Sequence, residues 1–132
     1  INNIVYFGGA GQEVHGGKPG AVLAIDFELD GQKFSGLNGG PQFKFSEAIS
    51  FQVPCETQEE IDYYWSALSK GGSESDCGWL KDKFGLSWQV FPRRLLDMLR
   101  DPDRKKADRA MSAMLKMSKI DLATIERAYA GN

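Results

Sequence analysis

The stretch CGWLKDKFGLSWQVFP, residues 77–92, places Ser87 and Gln89 two positions apart. On a strand that spacing sends both side chains to one face and Trp88 and Val90 to the other. A hydroxyl and an amide beside aromatic rings can donate to and accept from a small polar ligand without titrating. Asp26 and Glu28 are spaced the same way. Such a pair could serve as general acid and base, or simply form an exposed polar strand face. Cys55 and Cys77 have no Cys-x-x-Cys spacing and no nearby histidine to activate them, so they read as structural thiols. The run GGAGQEVHGGKP invites a phosphate-loop reading. That motif needs glycine where Gln12 stands and a hydroxyl residue where Pro19 follows Lys18, and a dinucleotide fingerprint from Gly9 needs glycine at Val14. Both fail, and the run reads as a hairpin loop. The four methionines read as core filler.

The elements that must position these residues are marked by period and punctuation. A short apolar strand at residues 3–7 runs into the glycine-rich loop. Residues 21–29 then alternate cleanly, with Ala21, Leu23, Ile25, Phe27 and Leu29 on one side. Asp30-Gly31 is a two-residue hairpin turn, and residues 32–38 return as a strand. After Gly39-Gly40-Pro41, residues 48–53 alternate again. Thr57 followed by Glu60 is a capping box for a helix over 57–69 with Ile61, Tyr64, Trp65 and Leu68 as its apolar stripe, stopped by Gly71-Gly72. The 77–92 hairpin follows, with Lys-Asp-Lys-Phe-Gly as its turn. Residues 93–99 form a short helix. Asp101-Pro102-Asp103 opens another, whose stripe is Ala107, Met111, Met114 and Leu115, and Asp121 caps a last helix closing at Gly131. The order is β, β, β, then β, α, β, β with room for one further short strand, then helices. It looks like an internal repeat whose first copy lacks an opening strand and helix.

At 132 residues, with 42% hydrophobic and 26% charged residues, the chain is long enough for one core, and a single domain over 1–132 is expected. A net charge of −2 gives no reason to approach nucleic acid or an anionic membrane. No apolar run approaches membrane-spanning length, the first residues lack a basic signal region, and two cysteines make no disulfide framework; a cytoplasmic setting is the expectation. The mixed charges of RDPDRKKADR read as a solvated helix face.

Three stretches, LNGGPQFKFSEAISFQVPCETQEEIDYYWSALSKGG, CGWLKDKFGLSWQVFP and AMLKMSKIDLATIERAYAG, closely resemble the PhnB-like branch of the vicinal oxygen chelate superfamily, the glyoxalase, bleomycin-resistance and extradiol-dioxygenase relatives. The resemblance implies an α+β fold of paired βαβββ modules with a ligand cleft between two curled sheets. Residues 1–40 would be module one without its opening strand and helix, 48–92 module two, and 93–132 a helical tail. Exposed sheet edges then imply a homodimer. In metal-using relatives a histidine opens module two and a glutamate lies on its last strand. Those positions match Ala48 and Gln89 here, and the matching module-one position is Ser35. With His15 as the sole histidine, no metal and no cofactor is expected.

On the cleft face the resemblance leaves Ser35, Ser50, Gln52, Ser87 and Gln89, with Phe91 and Trp79 as apolar walls, a set suited to an unidentified small molecule. The alternative is a solvated sheet face. In function, a binding module and an enzyme of the superfamily, metal-dependent or not, stay open. A methyltransferase, the label often carried by this branch, lacks support, because no glycine-rich turn joins a parallel strand to a helix.

Overall fold

In the computed structural model, which describes residues 1–132, the chain divides into two compact units, 1–44 and 45–132. The first is a three-stranded antiparallel sheet in the order β1-β2-β3, made of β1 (Asn3–Tyr6), β2 (Val22–Leu29) and β3 (Gln32–Leu37). One turn of helix, α1 (Gln12–His15), interrupts the glycine-rich loop. At the β2–β3 turn Asp30 and Gly31 both take positive φ, 48° and 76°, the conformation for which this residue pair is suited. Phe27 and Phe34 stack across that hairpin with ring centroids 5.5 Å apart.

The second unit holds a four-stranded sheet in the order β4-β7-β6-β5: β4 (Ser50–Cys55), β5 (Ser73–Glu74), β6 (Trp79–Lys81) and β7 (Ser87–Pro92). Strand β4 pairs with β7 in parallel, which the hairpin-by-hairpin sequence reading did not contain. A parallel pair needs a long crossover, supplied here by α2 (Gln58–Ser69) and the two strands that follow it. Strand β4 starts two residues later than expected, so Ala48 lies in the preceding turn.

Helix α2 is capped by Thr57 as expected, with the return bond from Glu60 reaching one residue further back than in a standard capping box. Thr57 Oγ1 accepts from the Glu60 amide, while the Glu60 carboxylate accepts from the Glu56 amide at 2.7 Å. Its Ile61 and Trp65 pack on Cys55, Leu80 and Val90, the back face of the sheet. Tyr64, assigned to the stripe from its spacing, is instead exposed. Two glycines are required by close approach. A Cβ on Gly72 would stand 2.0 Å from the Lys81 carbonyl oxygen, and one on Gly78 2.5 Å from that of Val90.

The tail is α3 (Arg93–Leu99), α4 (Arg104–Met114) and α5 (Leu122–Ala130). The cap of α4 is Asp103, whose carboxylate accepts from the Lys105 and Lys106 amides; Asp101 precedes it and Pro102 stays outside the helix. The stripe also shifts. Ala107 and Ala110 are buried, Ala110 in one cluster with Ile125 of α5, while Met111 is 38% and Leu115 61% exposed. Met98 is buried, and Met114 and Met117 pack against the same core of Phe91, Leu95, Ile120 and Ile125. Asp121 caps α5 through the Thr124 amide, and Gly131 closes it at φ 90°. Gln58 ties α2 to the tail, donating to the Ile120 carbonyl and accepting from the Leu122 amide. No helix is long and apolar enough to cross a membrane.

Candidate functional site

Sheet register decides which side chains share a face. Ser50 stands opposite Ser87 and Gln52 opposite Gln89 in the parallel pair. Trp79 stands opposite Gln89 and Lys81 opposite Ser87 in the β6–β7 hairpin, and Ser73 opposite Lys81 at the β5 edge. Since alternate residues share a face, Ser50, Gln52, Ser73, Trp79, Lys81, Ser87, Gln89 and Phe91 all lie on the side turned away from α2. The Gln89 amide donates to Ser50 Oγ at 2.8 Å. The expected residues of the second unit therefore belong to one surface.

The hairpin that carries Ser87 and Gln89 is fixed by Asp82. One of its carboxylate oxygens accepts from the Phe84 and Leu86 amides, at 2.9 and 3.1 Å, and the other from the Trp88 indole at 3.0 Å. Trp88 is thereby held on the back face, and its neighbours point forward. Pinned strands of this kind make a better platform for oriented polar groups than a loop.

Two cavities open on this face, and Trp79 borders both. The first, about 190 Å³, is floored by Gln52, Gln89 and Phe91 and walled by Leu95, Leu96 and Leu99 of α3 with Met114 of α4. Cys77 also borders it, at φ 58°. The second, about 440 Å³, is bordered by Ser73, Ser75, Lys81 and Ser87, with Glu47 and Glu74. Glu47 pairs with Lys81, and that hydrogen bond holds its carboxyl below the usual carboxylate range. Glu74 accepts from the Trp65 indole at 2.9 Å. Ser87 is 1% exposed, and its Oγ finds no hydrogen-bond partner in the protein.

Sequence reasoning missed the α3 and α4 walls because periodicity says that a helix has an apolar side, not which sheet face that side covers. It missed Ser73 and Ser75 because a two-residue strand such as β5 leaves no periodic signal, and Lys81 because it was read as part of the hairpin turn, whereas it ends strand β6. Ser35 lies in the first unit, where its hydroxyl donates to Asp26 at 2.7 Å across the β2–β3 pair. Both border a separate hollow of about 320 Å³ on that sheet, together with Lys33. Of the cysteines, Cys55 is buried among the α2 contacts, and burial, followed by the nearby Glu60 and Glu56 carboxylates, pushes its thiol up to about 11. No three or more His, Cys, Asp and Glu side chains are grouped as a metal ion would need.

An α+β architecture of two sheets and C-terminal helices, with a polar sheet face bordered by small cavities, defines the class. Residues 2–91 match the family described as 3-demethylubiquinone-9 3-methyltransferase, and the chain belongs to that PhnB-like family within the glyoxalase-like superfamily. Among solved structures it resembles a putative 3-demethylubiquinone-9 3-methyltransferase, PhnB protein, from Bacillus cereus. The two share 33% identity over 68% of this chain and 76% of the other, with a TM-score of 0.58. No curated protein matches the sequence significantly.

Proposed function

We propose that the protein binds a small polar molecule on the serine- and glutamine-lined face of its four-stranded sheet, using hydrogen bonds and aromatic walls in place of a divalent metal. The carrying observation is the Gln89–Ser50 hydrogen bond at 2.8 Å beside Gln52, at the place where metal-using relatives are expected to present glutamate and histidine. Neutral amides and hydroxyls are poor ligands for a divalent cation but good donors and acceptors for a polar organic group. Gln52 stands opposite Gln89 in the register and Ser50 receives its side-chain amide, so the groups that meet Gln89 on β4 are uncharged.

The paired-module reading supports this assignment. The antiparallel β1-β2-β3 sheet repeats the antiparallel run β5-β6-β7, and in the second unit β4 and α2 precede that run to complete a βαβββ order. Methyl transfer draws no support from the local chemistry. The turn from β4 into α2 is Cys55-Glu56-Thr57, without the glycines that let a backbone approach a nucleotide-like methyl donor. A second reading, turnover at an acid or base, is favoured by one feature, the Asp26 carboxylate held by Ser35 at the edge of its own hollow.

The test is a thermal-shift screen of small aromatic and polar metabolites, with S-adenosylmethionine and divalent metals included, and elemental analysis of the purified protein. Stabilisation by an organic compound and none by metals or the methyl donor is the expected outcome, since a ligand of the native state raises stability by mass action. About one equivalent of bound metal per chain, or stabilisation by S-adenosylmethionine alone, would overturn the proposal.

A further inference from the structure

We infer that the smaller cavity takes an uncharged amide, a carboxamide or a lactam, carried on a single small ring. This inference rests on the ligand-face proposal and adds the chemistry of the ligand's head group and the place of its body. Its starting point is the pair of glutamines on the cavity floor. Gln52 and Gln89 stand opposite one another in the parallel β4–β7 register, so their side chains project from one face as neighbours, and both border the cavity. The Gln89 amide nitrogen is committed to Ser50 Oγ at 2.8 Å, and its carbonyl oxygen accepts from no group in the protein. The Gln52 side chain makes no hydrogen bond within the protein, so it keeps both an acceptor and a donor.

A ligand that satisfies this floor donates to the Gln89 carbonyl and accepts from the Gln52 N–H. The edge of a carboxamide or lactam carries one N–H beside one C=O and does both. A carboxylate carries acceptors alone, leaves the Gln89 carbonyl unpaired, and finds no Lys, Arg or His among the bordering residues to balance its charge. An amidinium carries donors alone, leaves the Gln52 N–H unpaired and meets no Asp or Glu there. Beyond the glutamines the walls are apolar: Phe91 of β7, Leu95 and Leu99 of α3, and Met114 of α4. They suit the body of the ligand. A cavity of about 150 Å³ holds a benzene ring. The volume here, about 190 Å³, therefore has room for one ring and one compact head group.

Probes of one shape separate the head groups: benzamide, acetophenone, benzoate and benzamidine. Acetophenone has the outline of benzamide and lacks its N–H. Binding is followed by two-dimensional NMR of the methionine methyls and the glutamine side-chain amides. Benzamide should bind about fivefold more tightly than acetophenone, the worth of one neutral hydrogen bond, and at least about tenfold more tightly than benzoate or benzamidine. Of the four methionine methyls, that of Met114 should move most, because Met98 is buried in the tail core and Met111 lies on the exposed side of α4. Gln52→Leu should weaken benzamide and acetophenone alike by about fivefold and leave the melting temperature unchanged, since it removes a side chain with no hydrogen bond in the protein. Gln89→Leu should instead erase the preference for benzamide over acetophenone. Benzoate or benzamidine binding as tightly as benzamide would overturn the inference and leave the ligand face standing. So would undiminished benzamide binding in Gln52→Leu, or a Met111 methyl that moves more than that of Met114. No binding by any probe at millimolar concentration also overturns it, and the metabolite screen then judges the wider proposal separately.

Discussion

Trp65→Ala probes whether the ligand face is held in place from behind. Trp65 is 4% exposed and packs with Ile61 against Leu80 and Val90, residues that alternate with Trp79, Lys81 and Gln89 on the same strands. Truncating a buried tryptophan removes its transfer energy and leaves a cavity, together costing about 3–5 kcal/mol. The indole's hydrogen bond to Glu74 adds little, because the exposed carboxylate regains water. For a chain of this size the loss corresponds to a fall of roughly 10–20 °C in melting temperature. Trp65→Phe keeps most of the burial and loses the hydrogen bond, so it should cost only about 1 kcal/mol. Urea denaturation followed by tryptophan fluorescence and circular dichroism measures both. A loss below about 1 kcal/mol for the alanine variant would refute the packing argument, since no well-filled core site yields so little.

Three further outcomes follow from the geometry. The Tyr129 hydroxyl donates to the Asp101 carboxylate, which raises the tyrosine's pKa and lowers that of Asp101. The stabilisation from Tyr129 is fully present below its unfolded pKa and is lost as pH rises through the raised folded value, while that from Asp101 is lost as pH falls through its lowered one; Tyr129→Phe should flatten both limbs of a stability–pH curve, and unchanged limbs would contradict the pairing. Cys55, buried and with its thiol pushed up to about 11, should resist alkylation at neutral pH while the half-buried Cys77 reacts first, as mass spectrometry after timed iodoacetamide treatment would show; equal labelling would contradict the burial. Edge strand β1 exposes Ile4, Val5 and Tyr6, and self-association that covers such an edge should appear as a homodimer in sedimentation at tens of micromolar, whereas a monomer would contradict that proposal.

What the sequence made legible was local. Thr57, Asp121 and Gly131 act within one helical turn, and Asp30-Gly31 acts within one hairpin, so each could be placed without knowing the fold. Side-chain parity along β7 likewise placed Ser87 and Gln89 on one face. What depended on partners was not legible. Tyr64 and Met111 satisfy a helical apolar period, but the neighbours that decide which flank is covered come from distant segments. The parallel β4–β7 register leaves no mark in either strand, and it is that register which brings Ser50 to Gln89. Ala48, matched by motif, lies in the turn before β4, because the strand begins only at Ser50. The cavity walls from α3 and α4 belong to the same class of information.

The most direct measurement of the central claim is an amide and side-chain chemical-shift map of the protein titrated with the strongest stabiliser from the metabolite screen. The account predicts the largest shifts at the Gln52 and Gln89 side-chain amides, the Trp79 indole and the Ser50 and Ser87 backbone amides, all on one face of one sheet. It also predicts that Gln89→Ala, which removes the amide bound to Ser50, weakens the ligand about tenfold. Shifts confined to the first unit or to the α4–α5 surface, or undiminished affinity in Gln89→Ala, would contradict it.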